Sequence, residues 1–82
     1  MTKESILKKL TVHFQDSKIE VHDLTGDSNH YSILIISNNF NNLPLIDRHK
    51  KIHEIFQKEL TTEIHALQIK TFTPNEWNQK NI

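Results

Sequence analysis

The apolar residues of this chain change their spacing along its length, and that succession of periods limits the folds open to it. Ile6, Leu7, Leu10 and Phe14 recur at helical intervals, with Thr2 placed to cap the helix and Asp16 and Ser17 placed to end it. Lys18 to Leu24 then alternates, Ile19 and Val21 against Glu20 and His22, as a half-buried strand does. Thr25 to Asn29 is a turn cluster holding the only glycine, Gly26, the natural place for a positive φ. Tyr31 to Ser37 is strongly β-prone and apolar on both faces, which suits a central strand paired with the first in a hairpin.

Asn38 to Pro44, four asparagines around Phe40, reads as a loop, and Pro44 sits where the first turn of a helix tolerates it. Leu45 to Leu60 returns to the helical period, with Leu45, His49, Ile52, Phe56 and Leu60 on one stripe and Asp47, Lys50, Lys51, Glu54 and Lys58 away from it. Thr61 and Thr62 are expected to break that helix. His65 to Phe72 alternates again, His65, Leu67, Ile69 and Thr71 opposite Ala66, Gln68, Lys70 and Phe72. Thr73-Pro74-Asn75-Glu76 is a helix start, and Trp77 is expected to pack that short last helix onto the domain. The order is α-β-β-α-β-α. It predicts an α+β fold, a two-layer sandwich with helices on one face of a three-stranded mixed sheet. A helix crossing between the second and third strands allows those two to run parallel.

Composition narrows the function. With 82 residues the chain makes one domain, 1–82, with a modest core and no room for a deep catalytic cleft. Ten Lys and Arg balance ten Asp and Glu, so no overall field draws it to nucleic acid or an anionic membrane. The absence of cysteine favours a reducing compartment, hence a cytoplasmic location, and removes the commonest soft metal ligand. The charged stretch from Met1 to Leu10 is no signal-peptide core, and the longest apolar run, Ile33 to Ile36, is far too short for a bilayer. The expectation is a protein with no membrane association.

Six histidines, His13, His22, His30, His49, His53 and His65, then hold most of the chemistry available near neutral pH. His49 and His53 stand at i, i+4, a metal-ligand spacing, but His49 lies on the apolar stripe and no third ligand completes the pair, so a hydrogen-bonded structural role is favoured. His65 opens a strand after a helix-ending loop, where a side chain can be held rigidly near the surface. His22 and His30 read from their own context as solvent-facing. Arg48, Lys50 and Lys51 form the one dense basic cluster, ordinarily a solvated helix face. No Ser/His/Asp order, glycine-rich phosphate loop or zinc spacing is present, so enzyme activity has no support in the sequence.

Asp23-Leu24-Thr25-Gly26-Asp27-Ser28-Asn29-His30-Tyr31, then Ser37 and Phe40, Arg48-His49, Ile64-His65-Ala66-Leu67, and Thr71-x-Thr73-Pro74-x-Glu76-Trp77 closely resemble the BolA family, in the right order over nearly the whole chain. The resemblance implies an αββαβα fold like a type II KH domain. It also implies an adaptor that partners a monothiol glutaredoxin across a shared [2Fe–2S] cluster, in iron–sulfur handling or iron regulation. In that arrangement the partner's cysteine and glutathione supply thiolates, and this chain supplies the histidine of Ile-His-Ala-Leu, His65. The family's second ligand lies in the loop between the first two strands, closest here to Asp27 or Asn29. His30 is the nearest imidazole and His22 the alternative, and the set can also lack a second ligand from this chain. No cofactor is expected for the isolated chain, which would be a monomer alone and a heterodimer with its partner. Family members are also described as DNA-binding transcriptional regulators, for which Arg48, Lys50, Lys51 and Lys70 would be the phosphate contacts; the Gly-x-x-Gly loop of KH modules is absent.

Overall fold

The computed structural model describes residues 2–26, 29–64 and 66–80. In chain order these form α1 (Lys3–His13), β1 (Lys18–Asp23), β2 (His30–Ile36), α2 (Leu45–Ile55), α3 (Gln57–Thr62), β3 (Ala66–Phe72) and α4 (Pro74–Lys80), with a single 3-10 turn at Asn38–Phe40. The order is the one the periodicities predict, with one helix divided. The sheet runs β1-β2-β3, antiparallel between β1 and β2 and parallel between β2 and β3. Tyr31 to Ile36 is therefore central, as its apolar faces require.

Local chemistry explains most boundaries. The Thr2 hydroxyl accepts from the Ser5 N–H and the Ser5 hydroxyl accepts from the Thr2 N–H, closing a capping box on α1. Gly26 takes φ +74°, and the Asp23 carboxylate accepts from its N–H at 2.9 Å, an Asx-type turn. The Ser37 hydroxyl accepts from Asn39 N–H and starts the 3-10 turn that carries Phe40 into the core. α4 opens on a second capping box, in which Thr73 N–H donates to Glu76 and Glu76 N–H donates to the Thr73 hydroxyl.

The helical stretch expected over Leu45 to Leu60 breaks at Phe56, whose ψ of 16° leaves the helical range. Neither threonine ends it: α3 includes Thr61 and Thr62. The bend lets Ile52, Phe56, Glu59 and Ile64 all be buried. The stripe also differs from expectation. Arg48 takes the buried position, His49 is half-buried, and Leu45 stands 61 % exposed beside an exposed Ile46. On α1, Leu7 likewise faces water while Ile6, Leu10 and Phe14 are buried.

One core joins α1, α2 and α3 to the face of the sheet that carries Val21, Tyr31, Ile33 and Ile35, with Phe14 and Phe40 rings 5.3 Å apart. Thr71 lies on this face too, and its buried hydroxyl has no hydrogen-bond partner among the described residues. The opposite face is not bare. Strand parity places Ile36 and Phe72 there, and Trp77 meets Phe72 edge to face at 5.3 Å, so α4 leans on the side away from the other helices. Among the described residues no helix is long and apolar enough to cross a membrane.

Candidate functional site

Parallel strands begin at the same end of a sheet, and the start of β2 and the start of β3 are here in register. His30 is the Cα partner of Ala66, and the Ala66 N–H donates to the Asn29 carbonyl at 3.2 Å. His65 itself lies outside the described residues, as does Asp27. Its chain neighbours are firmly held: Ile64 is 3 % exposed, its N–H on the Glu59 carbonyl at 2.9 Å, and Ala66 is in the ladder. The crossover from Ser37 to Ile64 thus returns the start of β3, Ala66 and Leu67, to the start of β2.

His30 is half-buried, with its Nδ1 atom buried and its carbonyl accepting from Leu24 N–H at 2.8 Å, so its backbone is fixed on both sides of the hairpin end. A cavity of about 110 Å³ opens beside it, lined by Asn29, Leu60, Thr61, Thr62, Glu63 and Ile64. It joins the turn to the end of α3. His22, the alternative imidazole, lies on the same sheet face as His30, diagonal to it in the register. Its register partner is Ser32, it is exposed, and its Nε2 lies 3.4 Å from Glu20 Oε1. His49 and His53 sit on α2 without a third donor, and no group of three or more His, Asp or Glu able to hold a metal occurs among the described residues.

The basic surface expected from Arg48, Lys50, Lys51 and Lys70 does not exist as one surface. Arg48 is buried, 5 % exposed, and fully committed: Nε donates to the Leu43 carbonyl at 2.7 Å, and the two terminal nitrogens donate to the Glu76 carboxylate at 2.7 and 3.1 Å. Arg48 is a structural clamp, not a phosphate contact, because a guanidinium fork matches a carboxylate better than it tolerates burial alone. Its hydrogen bonds, with that from the Thr73 N–H, pull the Glu76 carboxyl down to about 2. Lys50 and Lys51 are exposed on the helical layer, Lys51 Nζ 6.0 Å from the Phe14 ring centroid. Lys70 is exposed on the other face of the sheet. A second clamp, Lys9 on Glu59 at 2.6 Å, joins α1 to α3, and the lysine holds the Glu59 carboxyl below its ordinary range.

The fold and this sheet end define a class. A model of the family described as BolA-like protein matches residues 2–76, and this chain belongs to that family. The DNA-binding transcriptional regulator BolA of Haemophilus influenzae is 33 % identical over 81 residues, covering 95 % of this chain and 79 % of the relative. A bol-like protein from Babesia bovis superposes with a TM-score of 0.87 at 26 % identity, covering 100 % of this chain and 95 % of that one. The BolA domain of SufE1 from Arabidopsis thaliana gives 0.83 at 32 % identity, covering 90 % and 93 %.

Proposed function

We propose that this chain is an adaptor that binds a monothiol glutaredoxin and shares a [2Fe–2S] cluster with it through His65, with His30 as the second imidazole. The observation that supports the reading is the parallel register that sets His30 against Ala66, the residue after His65. In a cysteine-free chain, that puts one imidazole level with the residue that follows the other in sequence. The donor set suits a half-site and not a whole one, since the described residues offer no three-ligand group and the chain has no thiolate. Bound there, the cluster would have imidazole in place of thiolate on one iron, which raises its potential as in Rieske centres. The chain's own contribution is to fix His30 and Ala66 through the Leu24–His30 and Ala66–Asn29 hydrogen bonds, and to offer the 110 Å³ cavity nearby to the partner.

The test mixes the chain with a monothiol glutaredoxin, iron, sulfide and glutathione, and follows visible absorption and circular dichroism. A mixed-complex spectrum that changes in His65→Ala, and less in His30→Ala, supports the reading. A spectrum identical to that of glutaredoxin alone, or indifferent to His65, sinks it.

A second reading, a small DNA-binding regulator, is favoured by the name the Haemophilus influenzae relative carries. Lys50 and Lys51 are the candidate duplex contacts once Arg48 is removed from the set. Salt separates the two: phosphate binding weakens steeply as salt rises, and a cluster-bridged complex does not.

A further inference from the structure

The sheet face away from the main core carries a side-chain cluster that neither reading uses. Phe72 and Trp77 are half-buried there, edge to face with centroids 5.3 Å apart. Lys80 Nζ stands 4.8 Å from the Phe72 ring centroid, and Lys18 Nζ 5.9 Å from that of Trp77. Lys70 is exposed on the same face, two residues before Phe72 in β3. Against these three ammonium groups the strands set one carboxylate on that face, Glu20, opposite Leu34 in the register. A chain of zero net charge has therefore gathered cations around a solvent-side aromatic pair.

Cations held over ring faces mark those faces as π surfaces within reach of solvent. Aromatic rings bordered by flexible lysines match the two things a single strand presents together, flat bases and regularly spaced phosphates. A duplex keeps its bases stacked inside and would meet only the lysines. We propose that this face binds single-stranded nucleic acid, with a base stacked on the Phe72–Trp77 pair and phosphates on Lys18, Lys70 and Lys80. The patch lies at the Ile36–Phe72 end of the parallel pair, six register steps from His30–Ala66, or about 20 Å by strand rise. It is independent of the glutaredoxin reading and of duplex binding.

Trp77 is the only tryptophan, so the chain carries its own probe. The full chain is titrated at low salt with an oligothymidylate of about 12 nucleotides, and with a duplex of the same length. A saturating loss of Trp77 emission is expected for the single strand, with log affinity falling against log salt at a slope of about −2, as three phosphate contacts require. The triple variant Lys18→Ala, Lys70→Ala, Lys80→Ala should bind at least about tenfold more weakly, and Lys70→Ala alone about threefold, while Lys8→Ala with Lys58→Ala on the helices changes affinity by less than about twofold. Far-UV circular dichroism shows that each variant is folded. Unchanged emission, tighter binding of the duplex, or equal losses in the helix variant would overturn the proposal.

Discussion

Arg48 holds three parts of the molecule through one guanidinium: the Leu43 carbonyl before α2, the Phe40 ring 5.5 Å away, and the Glu76 carboxylate of α4. Its side chain is 6 % exposed and that of Glu76 is 45 % exposed, so water shares the carboxylate's charge but not the guanidinium's. Glu76→Gln should therefore cost about 2 kcal/mol at neutral pH, mainly by leaving a buried cation half-paired. The pH dependence has a definite sign. A carboxyl lowered from 4.5 to about 2 contributes stability that is fully present above 4.5 and is lost as pH falls towards 2. Urea unfolding of wild type and Glu76→Gln should accordingly converge between those pH values. Thr71→Val should be neutral or stabilising by up to about 1 kcal/mol, because it removes a buried hydroxyl that has no partner among the described residues; thermal unfolding measures it. None of this was legible locally. A run of Arg48, Lys50 and Lys51 reads as a solvated face, and the partner that buries Arg48 lies 28 positions away.

Among the elements, those set by short-range chemistry were legible and the one set by packing was not. The caps of α1 and α4, the Gly26 turn, the alternation of β1 and β3 and the apolar run of β2 are written within a few residues each. The break at Phe56 is not, since phenylalanine neither stops a helix nor lacks an N–H, and the bend arises because Phe56 and Ile64 are both drawn to the core. Phe56→Ala should cost about 3–5 kcal/mol by chemical denaturation, with the Lys9–Glu59 clamp on the following helix weakened with it. α4 has no buried residue, and the Arg48–Glu76 pair and the Trp77 ring tie it to the domain. Hydrogen exchange should find its amides among the fastest of the helical ones and those of Ile33 and Ile35 in the central strand among the slowest.

For the whole molecule, the sequence order already implied a mixed sheet, because a helical crossover permits a parallel pair. That pairing is what brings His30 to the level of Ala66. The basic surface failed at the same scale, since Lys50 and Lys51 belong to the helical layer and Lys70 to the far side of the sheet, a separation that residue type cannot reveal. Reconstituting the isolated chain with iron and sulfide should give no [2Fe–2S] absorption, given the missing thiolates; a cluster spectrum from the chain alone would contradict a shared site.

The crossover between β2 and β3 has a temporal meaning as well. His30 leaves the ribosome early, yet it gains Ala66 as a neighbour only after the intervening helices have been made and the last strand has slotted in beside the central one. A chain cut short or stalled before β3 has His30 without the strand that sits beside it. The parallel pair thus acts as a checkpoint: this end of the sheet is assembled only once β3 has been made.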